Sequence, residues 1–377
     1  MRVLLLVPSL SGGGAERVAA NLANHWAAIG WTVSLATMAP AELDVYPLDP
    51  KVRRVHLGHY APSATPLHSA WASLARVLAL RRALREQRPE VAVSLMAPAN
   101  LLMALGVPRG GPLRAAVGSE HTHPPLDPMS PLKERLRRLL YPRLDAVVAL
   151  TGESARWLRG NVRVGRVDVI PNPVPWPLAD LEPRLEPDTL LPPGRRLLLG
   201  VGRLHPVKGY DLVVDAFAAL APRHPDWTLA ILGDGEEHDA LAARAHAHGL
   251  SERVLLPGRV GSVAAWYRRA DLFVSASHVE GFPNVLVEAL AHEVPVVAVD
   301  CDTGPRDIVR DGVDGLLVRP GDPAALRDAL DALMGDAPRR AALAARAGEA
   351  RERFSMDSVT RRWAALFEDL IGTDRGR

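Results

Sequence analysis

Short apolar runs recur along this chain, and each is followed by a longer stretch with helical spacing. In the first half the runs are RVLLLV (2–7), WTVSLAT (31–37), VAVSL (91–95), LRAAVG (113–118) and DAVVAL (145–150). In the second half they are RLLLGV (196–201), TLAILG (228–233), RVLLP (253–257), DLFVSA (271–276), PVVAVD (295–300) and GLLV (315–318). They are near-continuous rather than alternating in polarity. Such strands are buried on both faces, the condition of a parallel sheet with helices on each side. The pattern predicts the α/β class, with two doubly wound, Rossmann-like parallel-sheet domains facing a cleft, one over residues 1–171 and one over 194–354.

Residues 172–193 separate the two. The stretch PNPVPWPLADLEPRLEPDTLLPP (171–193) holds eight prolines. Proline fixes φ and removes a ladder donor, so the segment reads as a semi-rigid linker. Beyond residue 322 the chain turns helical. In its last segment, 355–377, Trp363, Leu366, Phe367 and Leu370 share one helical face, most simply for core packing.

Composition narrows the class. The 377 residues are 48% hydrophobic, enough for two cores. The single cysteine, Cys301, excludes an intrachain disulfide and fits a reducing compartment. The start, MRVLLLVPSL, is a poor secretory signal, and no segment reaches the roughly 18 apolar residues of a spanning helix. A cytoplasmic protein is expected. Charge is uneven: residues 51–143 hold fifteen Lys or Arg against five Asp or Glu, while the whole chain is only +2. One half is therefore suited to an anionic surface, and on charge alone nucleic acid and anionic lipid both qualify.

The most informative stretch is EGFPNVLVE (280–288), after the run 271–276 and before an alanine-rich helical pattern. Ligands of open α/β sheets sit beyond the carboxyl ends of the strands. Asn284 after Pro283 predicts a helix N-cap, so that the N–H groups of Val285, Leu286 and Val287 face outward as a phosphate site. Gly281 allows close backbone approach. A carboxylate accepts two donors and suits a vicinal diol: ribose at Glu288, a further sugar at Glu280. The ordinary alternatives are a dipole-favouring acid at Glu288 and a solvated loop acid at Glu280.

GVGRLHPVKG (200–209) occupies the same position after another strand. Arg203 can grip phosphate with a fork and Lys208 adds a point charge, with Gly202 and Gly209 permitting the tight loop. Two solvated cations are the alternative. Together the loops describe a diphosphate pocket with hydroxyl readers beside it, which matches a nucleotide-sugar. In the first domain, SGGGAERVAANLA (11–23) predicts amides of Gly12, Gly13 and Gly14 exposed to the cleft, or else a structural turn. It lacks the third glycine of G-x-G-x-x-G, which disfavours nicotinamide cofactors. In GSEHTHPP (118–125), His121 or His123 can donate to a phosphate or a sugar hydroxyl. Asp300-Cys301-Asp302 ends a strand and reads as incidental rather than as a metal motif.

EGFPNVLVE with GRLHPVKG, in a two-domain α/β chain, resembles glycosyltransferase family 4, over nearly the whole length and most strongly from 196 to 320, through ILGDGEE, LPGRV and TGPRDIVRDGVDGLLV. The resemblance implies a retaining, sugar-nucleotide-dependent transferase of GT-B fold with no cofactor and no metal. The donor is a nucleoside-diphosphate sugar, UDP favoured over GDP. It implies an acceptor-side first domain, a nucleotide-sugar-binding second domain and a final helix that crosses back to the first. By the same resemblance Arg203 and Lys208 hold the diphosphate, Glu288 the ribose, and Glu280 with Gly281 and Phe282 the donor sugar. Gly202, Gly233, Asn284, Val285 and Leu286 line the donor, Gly13 and Gly14 close on phosphate, His121 touches the sugar, and Arg259 and Val260 lie near the base. The acceptor is a glycan or lipid-linked sugar.

PLKERLRRLLYPR (131–143) sets Leu132, Leu136, Leu139 and Leu140 on one helical side, with Lys133, Arg135, Arg137, Arg138 and Arg143 around them. It reads as an interfacial helix on anionic lipid, peripheral on the inner membrane face, or as a core-facing helix with a basic back. Rival functions are a sugar-nucleotide epimerase or hydrolase on the same scaffold, a glycosidase using Glu280 and Glu288, and a non-enzymatic two-lobed sugar-binding protein. No nucleic-acid motif is present.

Overall fold

The computed structural model describes residues 1–58, 66–108, 112–126 and 129–373. The chain divides into two compact units, Met1–Pro173 with Met356–Arg377, and Val174–Ser355. The first unit runs β1 (Arg2–Val7), α1 (Gly14–Ala28), β2 (Thr32–Thr37), β3 (Arg53–His56), α2 (Pro66–Gln87), β4 (Val91–Leu95), α3 (Ala97–Gly106), β5 (Ala115–Glu120), α4 (Pro131–Leu140), β6 (Ala146–Ala149), α5 (Gly152–Asn161) and β7 (Val167–Val169). The second runs β8 (Arg196–Val201), α6 (Tyr210–Leu220), β9 (Trp227–Leu232), α7 (His238–Ala247), β10 (Val254–Leu255), α8 (Val263–Arg269), β11 (Leu272–Ser275), α9 (Asn284–Ala291), β12 (Val296–Val299), α10 (Pro305–Ile308), β13 (Gly315–Val318), α11 (Pro323–Gly335), α12 (Ala337–Ala347) and α13 (Ala350–Arg353). Helix α14 (Met356–Thr373) then belongs to the first unit.

Both sheets are parallel, with strand orders β3-β2-β1-β4-β5-β6-β7 and β10-β9-β8-β11-β12-β13. In β1 the in-register neighbours of Leu5 are Leu35 of β2 and Val93 of β4. Leu5 and Val7 pack on one sheet face with Trp26 of α1 and Trp363 and Phe367 of α14. Leu4 and Leu6 pack on the other with Leu80 of α2, Met103 of α3 and Leu158 of α5. Two covered faces are why the run RVLLLV has no polar alternation. The order reverses between β1 and β4 and again between β8 and β11. These are the points where an open parallel sheet leaves a crevice at its carboxyl edge.

Strands β3 and β7 are additions to the expected set, and β5 extends two residues further, to Glu120. RRVH and VDV are short, polar edge segments without an apolar run to mark them. The Pro-rich segment from Val174 onward lies on the second unit: the Trp266 indole donates to Leu185 O (2.8 Å) and Gly261 N to Pro183 O (2.7 Å). Residues beyond Thr373 of the segment 355–377 lie outside the described residues. Among the described residues no helix is long and apolar enough to cross a membrane.

Candidate functional site

The second unit gathers most of the predicted site at the switch point of its sheet. Strand β8 delivers Gly202 and Arg203, and the loop continues to Lys208 and Gly209 at the start of α6. The next strand across the reversal, β11, delivers Ser277, Glu280, Gly281 and Phe282 ahead of α9. Backbone bonds hold the two loops together, with His278 N donating to Val207 O at 2.8 Å. Gly209 is left-handed (φ 62°), and a Cβ there would overlap the carbonyl oxygen of Ala276, so only glycine permits this approach.

Within this frame Lys208 Nζ donates to Glu280 Oε1 at 2.6 Å, and Ser277 Oγ donates to the same oxygen at 2.7 Å. Arg203 is different. Its side chain is exposed and has no hydrogen-bond or ion-pair partner among the described residues, so the guanidinium is available to an anion. Gly233, after β9, donates its N–H to Gly258 O (2.9 Å), and a Cβ on it would overlap Gly202 O. That contact stacks the β8, β9 and β10 loops and sets the exposed Arg259 and half-buried Val260 just beyond them. On the other flank Thr303 N donates to Glu280 O (2.9 Å) and Thr303 Oγ1 to Gly281 O (3.3 Å). The Phe282 ring turns inward, edge-on to Phe354 (5.8 Å). Burial and the Glu280 carboxylate push the Cys301 thiol up to about 12, and the same two causes raise Tyr210.

Four expectations are corrected. Asn284 is the first helical residue of α9 and not its cap: Pro283 holds that position without a side-chain bond. The Leu286 N–H is bonded to Pro283 O (3.0 Å), and the Leu286 side chain is fully buried, so this residue offers no outward amide. In the first unit the amides of Gly12 and Gly13 do not face outward either. Both donate to Glu16 Oε2, at 2.8 and 2.7 Å, as the Glu16 side chain reaches back over the start of α1, and Ser9 Oγ donates to the other carboxylate oxygen. The chain's own anion fills that nest. Finally, Arg137 does not join the basic surround of α4. It is 2% exposed, donates to Glu134 Oε2 (3.0 Å), and lies 3.6 Å from Glu120 and against the rings of Tyr141 and Trp157.

Glu288 is buried, at 2% exposure, and accepts from Tyr267 Oη at 3.0 Å. Tyr267 in turn stacks on His292 (5.1 Å), whose Nδ1 lies 2.7 Å from Glu288 O. Nothing in the local pattern marks Tyr267, Ser277 or Thr303; each is found only once the fold brings its strand or loop to the motif. In the first unit the two histidines separate clearly. His123 is buried, its Nδ1 3.0 Å from Ser154 Oγ. His121 follows β5 directly, its Nδ1 lacks a partner among the described residues, and burial pushes its pKa down to about 4. Asp300 and Asp302 both face Arg306, at 2.9 and 3.5 Å. Among the described residues no cluster of His, Cys, Asp and Glu has metal-site geometry.

Two Rossmann-like domains, the second with a cationic, glycine-lined loop pair at its sheet switch point, have the GT-B architecture. The Glycosyltransferase Family 4 profile matches residues 12–175 and the Glycosyl transferases group 1 profile residues 182–350, and the chain belongs to this family. It is 33% identical over 245 residues to the lipopolysaccharide core biosynthesis mannosyltransferase LpsB of Rhizobium meliloti, covering 62% of this chain and 68% of that one. It is 37% identical over 235 residues to an exopolysaccharide phosphotransferase of Streptomyces coelicolor, which covers 61% of this chain but spans only 24% of that relative. A Campylobacter jejuni relative, an α-1,4-N-acetyl-D-galactosaminyltransferase acting on a diNAcBac-PP-undecaprenol-linked glycan, is 28% identical over 373 residues, 98% of this chain and 99% of its own. Among solved structures, Anabaena HepE in complex with UDP and glucose superposes with a TM-score of 0.77 at 21% identity, over 98% of this chain and all of that one. The likeness to HepE concerns the fold.

Proposed function

We propose that the protein transfers a hexose, with retained configuration, from a nucleoside-diphosphate sugar to a hydroxyl of a lipid-linked or cell-surface glycan precursor, working peripherally on the inner face of the membrane. One observation carries the reading. At the β8/β11 switch point Arg203, without a side-chain partner among the described residues, shares its loop with Lys208, which pairs with Glu280 of the neighbouring loop. Cations there suit a diphosphate and the carboxylate suits sugar hydroxyls. The undecaprenol-linked substrate of the Campylobacter relative supports the acceptor class, and the UDP bound to HepE supports a UDP-sugar donor.

In this reading Arg203 and Lys208 hold the diphosphate, and Glu280 with the Gly281 and Phe282 backbone orients the sugar. Glu288 holds the ribose, with Asn284, Val285, Gly202 and Gly233 lining the donor and Arg259 and Val260 near the base. In the first unit, His121 is assigned to a sugar hydroxyl and Gly14 to phosphate. The bond from the anomeric carbon to the phosphate oxygen breaks as the acceptor oxygen bonds to that carbon. The acceptor's proton passes to the departing phosphate on the same face, so no protein nucleophile is used. Charge grows on the diphosphate in the transition state, and preorganised cations there act as oxyanion-hole donors do; removal of one costs about 2.7–4 kcal/mol.

Thermal-shift screening against UDP-, GDP- and ADP-sugars tests the reading, followed by mass analysis of a lipid-linked acceptor incubated with the donor that binds. Stabilisation by a UDP-sugar and an acceptor heavier by one hexose are expected. Conversion of the donor to its epimer, or to free sugar, without any acceptor would instead identify an epimerase or hydrolase.

A further inference from the structure

The outer layer of the first unit exposes large apolar side chains in register with cations. On α2, Trp71, Leu74, Leu78, Arg82 and Arg85 recur every three or four residues and all are exposed, Trp71 at 73%. On α4, Leu132, Arg135 and Leu139 form a second such stripe, the leucines 67% and 71% exposed, with Lys133 and Arg138 beside them. The inner sides of these helices are normal core. Leu80, Ala83 and Leu84 of α2 pack with α3, and so does Tyr141 at the end of α4. Helix α3 ties the two together: Arg81 of α2 donates to Leu105 O (3.3 Å), and Asn100 donates to Tyr141 Oη (3.3 Å). Both stripes therefore belong to one side of one sheet. The acids nearby are paired, Glu86 with Arg82 and Glu134 with the buried Arg137, which leaves Arg85, Lys133, Arg135 and Arg138 as the cations of the two faces.

Isolated exposed leucines need no explanation, but two such stripes on one side of a sheet, one of them with a tryptophan, do. Their pattern, aromatic and aliphatic side chains flanked by Arg and Lys, is that of helices lying in a membrane interface. We propose that the outer faces of α2 and α4 together dock the first unit on an anionic lipid surface, Trp71 and the leucines entering the headgroup boundary and the arginines pairing with lipid phosphates. The exposed Arg85, Lys133, Arg135 and Arg138 beside the stripes select this occupant over a second copy of the chain, which would set the same positive charge against itself. The proposal rests on the lipid-borne acceptor of the preceding section, but it adds a helix and a geometry that α4 alone does not define.

Flotation of the full chain with vesicles of phosphatidylglycerol and phosphatidylcholine, and with phosphatidylcholine alone, tests it without donor or acceptor. The protein is expected to float with the anionic vesicles only, and less as salt rises. Trp71→Ser with Leu74→Ser, and separately Leu132→Ser with Leu139→Ser, each lower the bound fraction about tenfold or more. These positions are exposed, so thermal shift by UDP is unchanged in the variants and reports that they are folded. No flotation, equal flotation on neutral vesicles, variants that float like the wild type, or a dimer in solution that these substitutions dissolve would each overturn the proposal. A wild-type chain that keeps its donor shift but does not float sinks the docking face and leaves the transferase reading standing. Retained flotation without any donor shift does the reverse.

Discussion

Lys208 Nζ sits 2.6 Å from Glu280 Oε1, so the two residues assigned to different parts of the donor are bonded to each other. A diphosphate that recruits Lys208 must draw it partly from Glu280, and the carboxylate it frees is the one that meets the sugar. Lys208→Ala is therefore expected to weaken the nucleotide-sugar and the free nucleoside diphosphate alike, and Glu280→Ala chiefly the sugar-bearing form. Calorimetric titration of both ligands checks this; equal losses for the two in the Glu280 variant would remove its assigned role. Stability responds as well. Lys208→Ala leaves a largely buried carboxylate with only Ser277, at a cost of about 1–3 kcal/mol, and Glu280→Gln in the same background restores part of it. Urea midpoints of the double-mutant cycle should show a coupling of about 0.5–3 kcal/mol.

Gly233 tests whether the loops form one platform. A methyl group on it would overlap Gly202 O at a positive φ of 143°, so Gly233→Ala must move one loop or the other. It is expected to destabilise by more than about 1 kcal/mol, and to weaken diphosphate binding because Arg203 follows Gly202 directly. Gly249, with φ 69° and open space around it, is the control: alanine there strains the backbone but leaves ligand affinity alone.

Tyr267 separates the roles of the two glutamates. Its hydroxyl is 3.0 Å from Glu288 Oε2 in a buried setting, while Glu280 is held by other residues. A hydrogen bond to a charged group contributes about 1.5–3 kcal/mol. Tyr267→Phe should cost an amount of that order in folding stability. Affinity for a ribonucleoside diphosphate should fall, while affinity for its 2′,3′-dideoxy analogue stays the same. An equal drop for both nucleotides would show that Glu288 does not read the ribose.

How much of this was legible in sequence follows from what each feature depends on. Apolar runs such as RLLLGV announce central strands because both faces are covered, and the residues just after them are the carboxyl-edge loops by construction. Arg203 and Lys208 therefore fall on one such loop and Glu280 on the loop after the neighbouring strand. The misses depend on competition the local pattern does not encode. Asn284 has a capping side chain, yet Pro283 begins the turn one residue earlier. Gly12 and Gly13 have free amides on paper, but Glu16, one turn on, reaches back to both. Arg137 looks like its basic neighbours on a helical wheel; its burial is set by Glu120, Tyr141 and Trp157, which only the fold brings to it.

His121 gives a pH signature with a defined sign. Burial pushes its pKa down to about 4, from about 6.5 in the unfolded chain, so between those values the unfolded state binds the extra proton. Its contribution to stability is complete above about pH 6.5 and is lost as the pH falls through the window towards 4. The loss is roughly 1–3 kcal/mol, reduced from the full shift because the ring is not wholly shielded from water. His121→Asn should flatten this part of the curve, so that the gap between wild-type and variant melting temperatures changes from pH 7 to pH 4.5. At neutral pH the ring is uncharged and presents one N–H and one acceptor nitrogen, which suits a sugar hydroxyl better than a phosphate. The pH–rate profile should accordingly show no inflection near 6.5 from this group. A ring titrating near 6.5 by NMR would mean that His121 is solvated, and its assignment to the sugar would fall.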